Sequence, residues 1–261
     1  MKKLSQNWDS IEWVLTDVDD TLTCHGHLPP QTLQALQALR DAGKKVVAVT
    51  GACAGWGDHI AQLWPVDAVL AENGAVIMEK QNGYLVRHGL TDMAELAKKQ
   101  QQLKVQIGKI LKSYPGLEFT LDQAYRVCEV AIDIGQNRPA VDPDIVEQVV
   151  SDIHQLGANA TASSIHINAW YGEHSKRITA EYFLKLQGLS DKQILAQCCY
   201  AGDSPNDVAM FAWLPNSIGV ANIEKYWDKL THKPALVMSK PGGYGFAEFA
   251  ELLLAHQSAT S

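Results

Sequence analysis

In the stretch "WVLTDVDDTLT", Trp13 to Thr23, three carboxylates (Asp17, Asp19 and Asp20) fall within four positions, directly after an apolar run. Like charges this close repel one another and are costly to bury. A turn or a helix cap accounts for one such aspartate but poorly for three. A divalent cation accounts for more. Magnesium takes hard oxygen ligands, commonly one or two protein carboxylates completed by phosphate and water. Asp17 and Asp19 are therefore the candidates for chemistry, whereas a turn role suffices for Asp20.

Other polar groups follow apolar runs in the same way. Thr50-Gly51 follows "VVAV", and its hydroxyl beside a flexible glycine can hydrogen-bond a phosphate oxygen. Lys176, after Ser175, starts a predicted helix, where a cation meets the positive end of the helix dipole. An anion held between the lysine and the helix end reverses that sign. In "GDSPND", Ser204 suits an N-cap, Pro205 the first helical position and Asp207 the capping-box acid. Capping does not require Asp203, which we assign to the metal, with Asp207 as a second ligand or a supporting group.

These groups act together only if the elements carrying them are neighbours. Over the first eighty residues strand and helix alternate: "WVLTDV", the helix "PPQTLQALQALRDAGKK", "KVVAVTG", the helix "GWGDHIAQLW" and "VDAVLAEN". That rhythm predicts an α/β fold, a Rossmann-like parallel sheet with helices on its faces. Ligands of such sheets bind beyond the carboxyl ends of the strands, where three of these motifs fall, while Ser175-Lys176 begins a helix after the insert.

The rhythm breaks after residue 82. A long polar helix, "TDMAELAKKQQQLKVQIGKILKSY", precedes the alternating and hence half-buried strand "YRVCEVAIDI". Asp142 and Pro143 are placed to start another helix, and "SSIHINAW" alternates again. Residues 83–171 therefore read as an inserted α+β module, with 1–82 and 172–261 forming one catalytic core. From Ser175 the α/β order resumes, through the strands "QCCYAGD", "SIGVA" and "PALVM". The strand "SSIHINAWY" places Ser164, His166, Asn168 and Trp170 on one face. That face suits a sugar or another polyol, with Trp170 stacking and His166 or Asn168 hydrogen-bonding.

In this order the motifs resemble the haloacid dehalogenase superfamily: Asp17-Val18-Asp19-Asp20-Thr21-Leu22, Thr50-Gly51, Lys176 and Gly202-Asp203-Ser204-Pro205-Asn206-Asp207. The insert resembles the cap of its Cof-type branch, which is similar to sucrose-phosphate, trehalose-phosphate and mannosyl-phosphoglycerate phosphatases and to eukaryotic phosphomannomutases. The resemblance implies that Asp17 attacks phosphorus to form an aspartyl-phosphate and that Asp19 serves as acid and base. It implies Mg2+ held by Asp17, Asp203 and the Asp19 carbonyl, with Thr50, Lys176 and Asn206 on the phosphoryl oxygens. The cap would choose the substrate. Many relatives carry glycine where Asp20 stands, and arginine where Ala52 follows Thr50-Gly51. His25 and His27 have a metal-like spacing, but magnesium does not select imidazole.

Composition narrows the partners. The net charge of −7, from 22 basic and 29 acidic residues, argues against a nucleic-acid surface and against docking on anionic lipid. A small phosphorylated molecule remains the expected partner. The N-terminus, "MKKLSQNWDS", lacks the apolar core of a signal peptide, and no run reaches the length of a membrane span. The five cysteines, Cys24, Cys53, Cys128, Cys198 and Cys199, read as reduced thiols of a cytoplasmic protein, the adjacent pair filling core volume. Monomer and dimer are not distinguished. The leading expectation is a magnesium-dependent phosphatase of a small metabolite, with a sugar phosphate the expected substrate. The alternatives are a phosphomutase, a phospho-accepting module and a non-catalytic phosphate-binding protein.

Overall fold

The structure, a computed structural model, describes residue 4 and residues 8–163 and 165–260. The first elements are β1 (Trp13–Thr16), α1 (Pro30–Asp41), β2 (Lys45–Val49), α2 (Ala54–Leu63) and β3 (Ala68–Ala71). The hairpin β4 (Val76–Gln81) and β5 (Tyr84–His88) follows, then α3 (Met93–Ile110), β6 (Val130–Asp133), α4 (Pro143–Gln155), β7 (Asn159–Ala162) and β8 (His166–Trp170). The chain ends with α5 (Lys176–Leu186), α6 (Asp191–Gln197), β9 (Cys198–Gly202), α7 (Val208–Trp213), β10 (Ser217–Gly219), β11 (Leu236–Val237) and α8 (Gly242–Thr260).

Eight strands form one sheet in the order β11-β10-β9-β1-β2-β3-β4-β5, parallel from β11 to β3 and antiparallel across β4 and β5. Period-two burial explains the continuous apolar strands. Val14, Val46, Ala48, Cys199 and Ala201 pack on the face covered by α1 and α8, with Leu36, Phe246 and Phe249. Leu15, Val47, Val49, Cys198 and Tyr200 pack on the other, with Phe183 and Leu184 of α5. The two adjacent cysteines thus fill opposite cores, as their fully buried side chains require.

Three strands, in the order β6-β8-β7, form a second, antiparallel sheet with its own core. Val130, Ile132, Ile167 and Ala169 pack there against Leu103 and Ile107 of α3 and Val149 and Ile153 of α4. Asp142 caps α4 by accepting from the Asp144 amide, with Pro143 at the first turn. Both β6 and β8 are buried on both faces rather than half-buried. Their second faces are turned toward the large sheet, where Glu129 meets Asn73 and Asn168 meets Gly51.

The chain leaves the large sheet only after β5, later than the break expected at residue 83. Asn82 (φ 52°) and Gly83 (φ 84°) form the two-residue turn of the β4–β5 hairpin. Positive φ at both turn positions matches the twist of the flanking strands.

Candidate active site

The motifs converge because β1 has β2 on one side and β9 on the other, with Thr16 opposite both Ala48 and Ala201. The following residues Asp17, Thr50 and Asp203 emerge together at the carboxyl edge, where the strand order reverses. Asp17, Asp203 and Asp207 are buried, and each offers an oxygen within 4.8 Å of the others. Lys176 Nζ donates to Asp17 Oδ1 at 2.6 Å and to Asp207 Oδ1 at 2.9 Å. Ser175 caps α5 by accepting from the Ile178 amide, which puts the lysine at the first helical position. The anions that offset its unfavourable place on the dipole are the protein's own carboxylates.

Asp207 is saturated. Its Oδ1 also accepts from the Tyr200 hydroxyl at 2.5 Å, and its Oδ2 accepts the amides of Asp203 and Ser204. A β-carbon on Gly202 would lie 2.5 Å from Asp207 Oδ2, so only glycine admits this approach. Asp207 therefore fixes Lys176 and the turn that presents Asp203. Asp203 Oδ2 accepts from Asn222 Nδ2 at 2.8 Å.

One ammonium among three buried carboxylates leaves excess negative charge. Burial raises the Asp17 carboxyl to about 8; Lys176 opposes the rise, and Asp207 and Asp19 add to it. Asp203 is raised well above its usual range by burial, then by Asp17 and Asp207. Burial alone would lower Lys176, but pairing with Asp17 and Asp207 reverses this and raises it. A divalent cation would relieve this repulsion. The all-oxygen donor set of Asp17 and Asp203 fits magnesium, with Asp207 committed to protein donors.

Asp19 stays exposed, but to the enclosed cleft between the two sheets. The protein around it raises its pKa by desolvation; Lys176 opposes this, and the Thr50 hydroxyl helps hold the charged form. The cleft has a volume of about 20 Å³ and is lined in part by Asp17, Asp19, His166, Asn168 and Asn206. Asn168 Nδ2 donates to the Gly51 carbonyl at 3.1 Å, while its Oδ1 is buried without a partner among the described residues. Asn206 Oδ1 accepts from the Ser204 hydroxyl at 2.8 Å. His166 Nε2 lies 2.6 Å from Gln136 Oε1, so we assign the proton to that nitrogen. Burial and then Arg126 lower the imidazole to about 4, which keeps it neutral.

One expected residue is placed elsewhere. Trp170 is not brought to the cleft: it stacks on His174 and donates Nε1 to the His174 carbonyl at 3.1 Å. This buried partner holds the indole inside the protein. Ser164 lies outside the described residues. Asp20 acts as a turn residue, at φ 57°, accepting the His25 amide on Oδ1. That backbone conformation is open to glycine and tolerated by aspartate, so either residue type suits the position. His25 and His27 stand in the exposed turn that follows.

A buried ionic group escaped the sequence reading. Glu72 accepts four backbone amides, from Ala54 and Val127 on Oε1 and from Cys128 and Glu129 on Oε2. Asn73 Nδ2 donates to both Glu129 oxygens, and Arg126 Nη1 donates to the Gly51 carbonyl at 3.0 Å. These contacts clamp the two sheets together beside Thr50-Gly51. A β-carbon on Gly51 would lie 2.8 Å from Asn168 Nδ2, so glycine is what allows the approach.

Residues 14–113 match the family model of haloacid dehalogenase-like hydrolases. No curated protein matches the sequence. Among solved structures, a Thermoplasma acidophilum protein is similar at TM-score 0.71 and 15% identity, over 94% of this chain and 98% of that one. A HAD/COF-like hydrolase from Plasmodium vivax has TM-score 0.68 at 17% identity, over 94% and 96%. The sucrose-phosphatase of a Synechocystis species, solved with sucrose and phosphate, has TM-score 0.66 at 13% identity, over 94% and 98%. At these identities the structures speak to the fold, an α/β architecture shared along nearly the whole chain. The matched segment and the shared fold make the chain similar to haloacid dehalogenase-like hydrolases.

Proposed function

We propose that the protein is a magnesium-dependent phosphatase of a small phosphorylated metabolite, a sugar phosphate, acting through an aspartyl-phosphate. The observation that carries this reading is the convergence of Asp17, Asp203, Lys176 and Asp19 on one cleft at the sheet's reversal point. Asp17 attacks phosphorus, and the P–O bond to the leaving alcohol breaks. Asp19 gives its proton to that oxygen and then takes one from the water that cleaves the aspartyl-phosphate, so the acid is restored. Its raised pKa suits the donor half of this cycle. Lys176, Thr50, the Gly51 loop and Asn206 bind the phosphoryl oxygens, where charge spreads in the transition state. Magnesium, held by Asp17 and Asp203 with the Asp19 carbonyl, would neutralise repulsion between nucleophile and phosphate.

The insert that follows β5 and runs to residue 171 acts as a cap that selects the leaving group, with His166 and Asn168 its contributions to the cleft. The phosphatases among the structural relatives, including the sucrose-phosphatase, support a sugar phosphate as substrate class. Phosphate release from a panel of sugar phosphates, with and without magnesium, tests the reading for wild type and Asp17→Asn. Magnesium-dependent release that the variant loses is expected. Undiminished release by Asp17→Asn would sink it, and isomerised product with little free phosphate would make the enzyme a mutase.

A further inference from the structure

A second cavity, of about 210 Å³, begins where the phosphoryl cleft ends and shares Asp19, Ile165 and His166 with it. One wall carries two indoles. Trp56 and Ile60 lie four residues apart on α2, Trp64 follows as its extended C-cap residue, and Val18 and Leu28 also line the cavity. Trp56 is 53% exposed, a large cost for an indole with nothing to cover it. Ala52 also lines the cavity, and its short side chain leaves room that a long one would fill.

Charge is the other constraint. The only charged side chains lining this cavity, among the described residues, are the carboxylates of Asp19 and Asp122. Arg126 pairs with Asp122 at 3.3 Å but is not part of the wall. A second anionic group on a substrate would meet carboxylates there and no cation. The volume lies below the roughly 300–1,000 Å³ of pockets for drug-sized ligands and suits a single ring.

We propose that this cavity holds the leaving group, and that the enzyme selects phosphate monoesters of a single-ring alcohol with an apolar face and no second anionic group. This rests on the phosphatase reading, because Asp19 must face the oxygen that departs. The ring face lies against Trp56 and Trp64. The ring is either a pyranose presenting its C–H face or a heteroaromatic ring presenting its π face.

The test is kcat/KM with magnesium for four kinds of ester. These are hexose 6-phosphates, a phosphorylated hydroxymethylpyridine, glycerol phosphate as a ringless control, and 6-phosphogluconate or fructose bisphosphate as doubly anionic controls. At least one of the first two is expected to exceed both doubly anionic esters by about 100-fold, because an unpaired like charge costs several kcal/mol. Trp56→Ala and Trp64→Ala should lower kcat/KM for the preferred ring ester about 10-fold more than for glycerol phosphate. Preference between pyranose and pyridine identifies the ring. A doubly anionic best substrate, or equal losses on ring and ringless esters, overturns the proposal while leaving the phosphatase reading intact. No phosphate release from any ester, 4-nitrophenyl phosphate included, overturns both.

Discussion

Lys176 and Asp17 are 159 residues apart in the sequence and 2.6 Å apart in space. The contact joins the helix that follows the three-stranded unit to the end of the first strand, so it forms only when both halves of the large sheet are assembled. Asp207 completes it from the opposite side.

Removing this lysine leaves buried carboxylates unpaired. Lys176→Met should destabilise the protein by about 3–5 kcal/mol in urea unfolding without divalent cation. Saturating magnesium should restore part of that stability by neutralising the carboxylates. It should not restore phosphate release, because the phosphoryl oxygens still lack the ammonium. Activity recovered with magnesium would assign Lys176 a purely structural role.

Glu72 predicts a local effect at the junction of the two sheets. Glu72→Gln turns an amide group toward two of four buried backbone donors, an expected loss of about 2–4 kcal/mol. Hydrogen exchange by mass spectrometry should rise at Val127, Cys128 and Glu129, whose amides the carboxylate holds. Protection unchanged there would show that the clamp does not anchor the insert.

His166 predicts a pH dependence. Burial, reinforced by Arg126, lowers its folded pKa to about 4 from 6.5. Between these values the unfolded chain binds a proton that the folded chain refuses. The stability from the neutral imidazole is thus fully present above pH 6.5 and is lost as pH falls toward 4. Wild type should lose on the order of 2–3 kcal/mol more than His166→Gln over that window. Parallel unfolding curves at pH 7, 5.5 and 4.5 measure it, and identical slopes would contradict it.

What the sequence disclosed, and what it did not, follows from how each residue is determined. Asp17, Asp203 and Lys176 were legible because each stands at the boundary of an apolar run or a capped helix. Asp142 and Pro143 carried their helix start locally. The β4–β5 hairpin had a signal in "KQNGYL", an Asn-Gly pair between strand-like runs, that places Tyr84–His88 with the large sheet. Glu72, Arg126 and Glu129 had none, since a charged residue reads as solvated until its distant partners are known. Trp170 shared the β8 face with His166 and Asn168, but its pairing with His174 depends on how the chain returns to α5. Asp20 needed a backbone angle, which residue type does not specify.

In the proposed reaction Asp17 carries the phosphoryl group. Asp19→Ala, given magnesium and 4-nitrophenyl phosphate, whose leaving group needs no acid, should accumulate the intermediate because it lacks the group that activates water. Acid quenching followed by peptide mass mapping should then find one phosphoryl group on the peptide containing Asp17, labile to hydroxylamine. A phosphoryl group on another residue, or continued turnover with none on Asp17, would contradict the account.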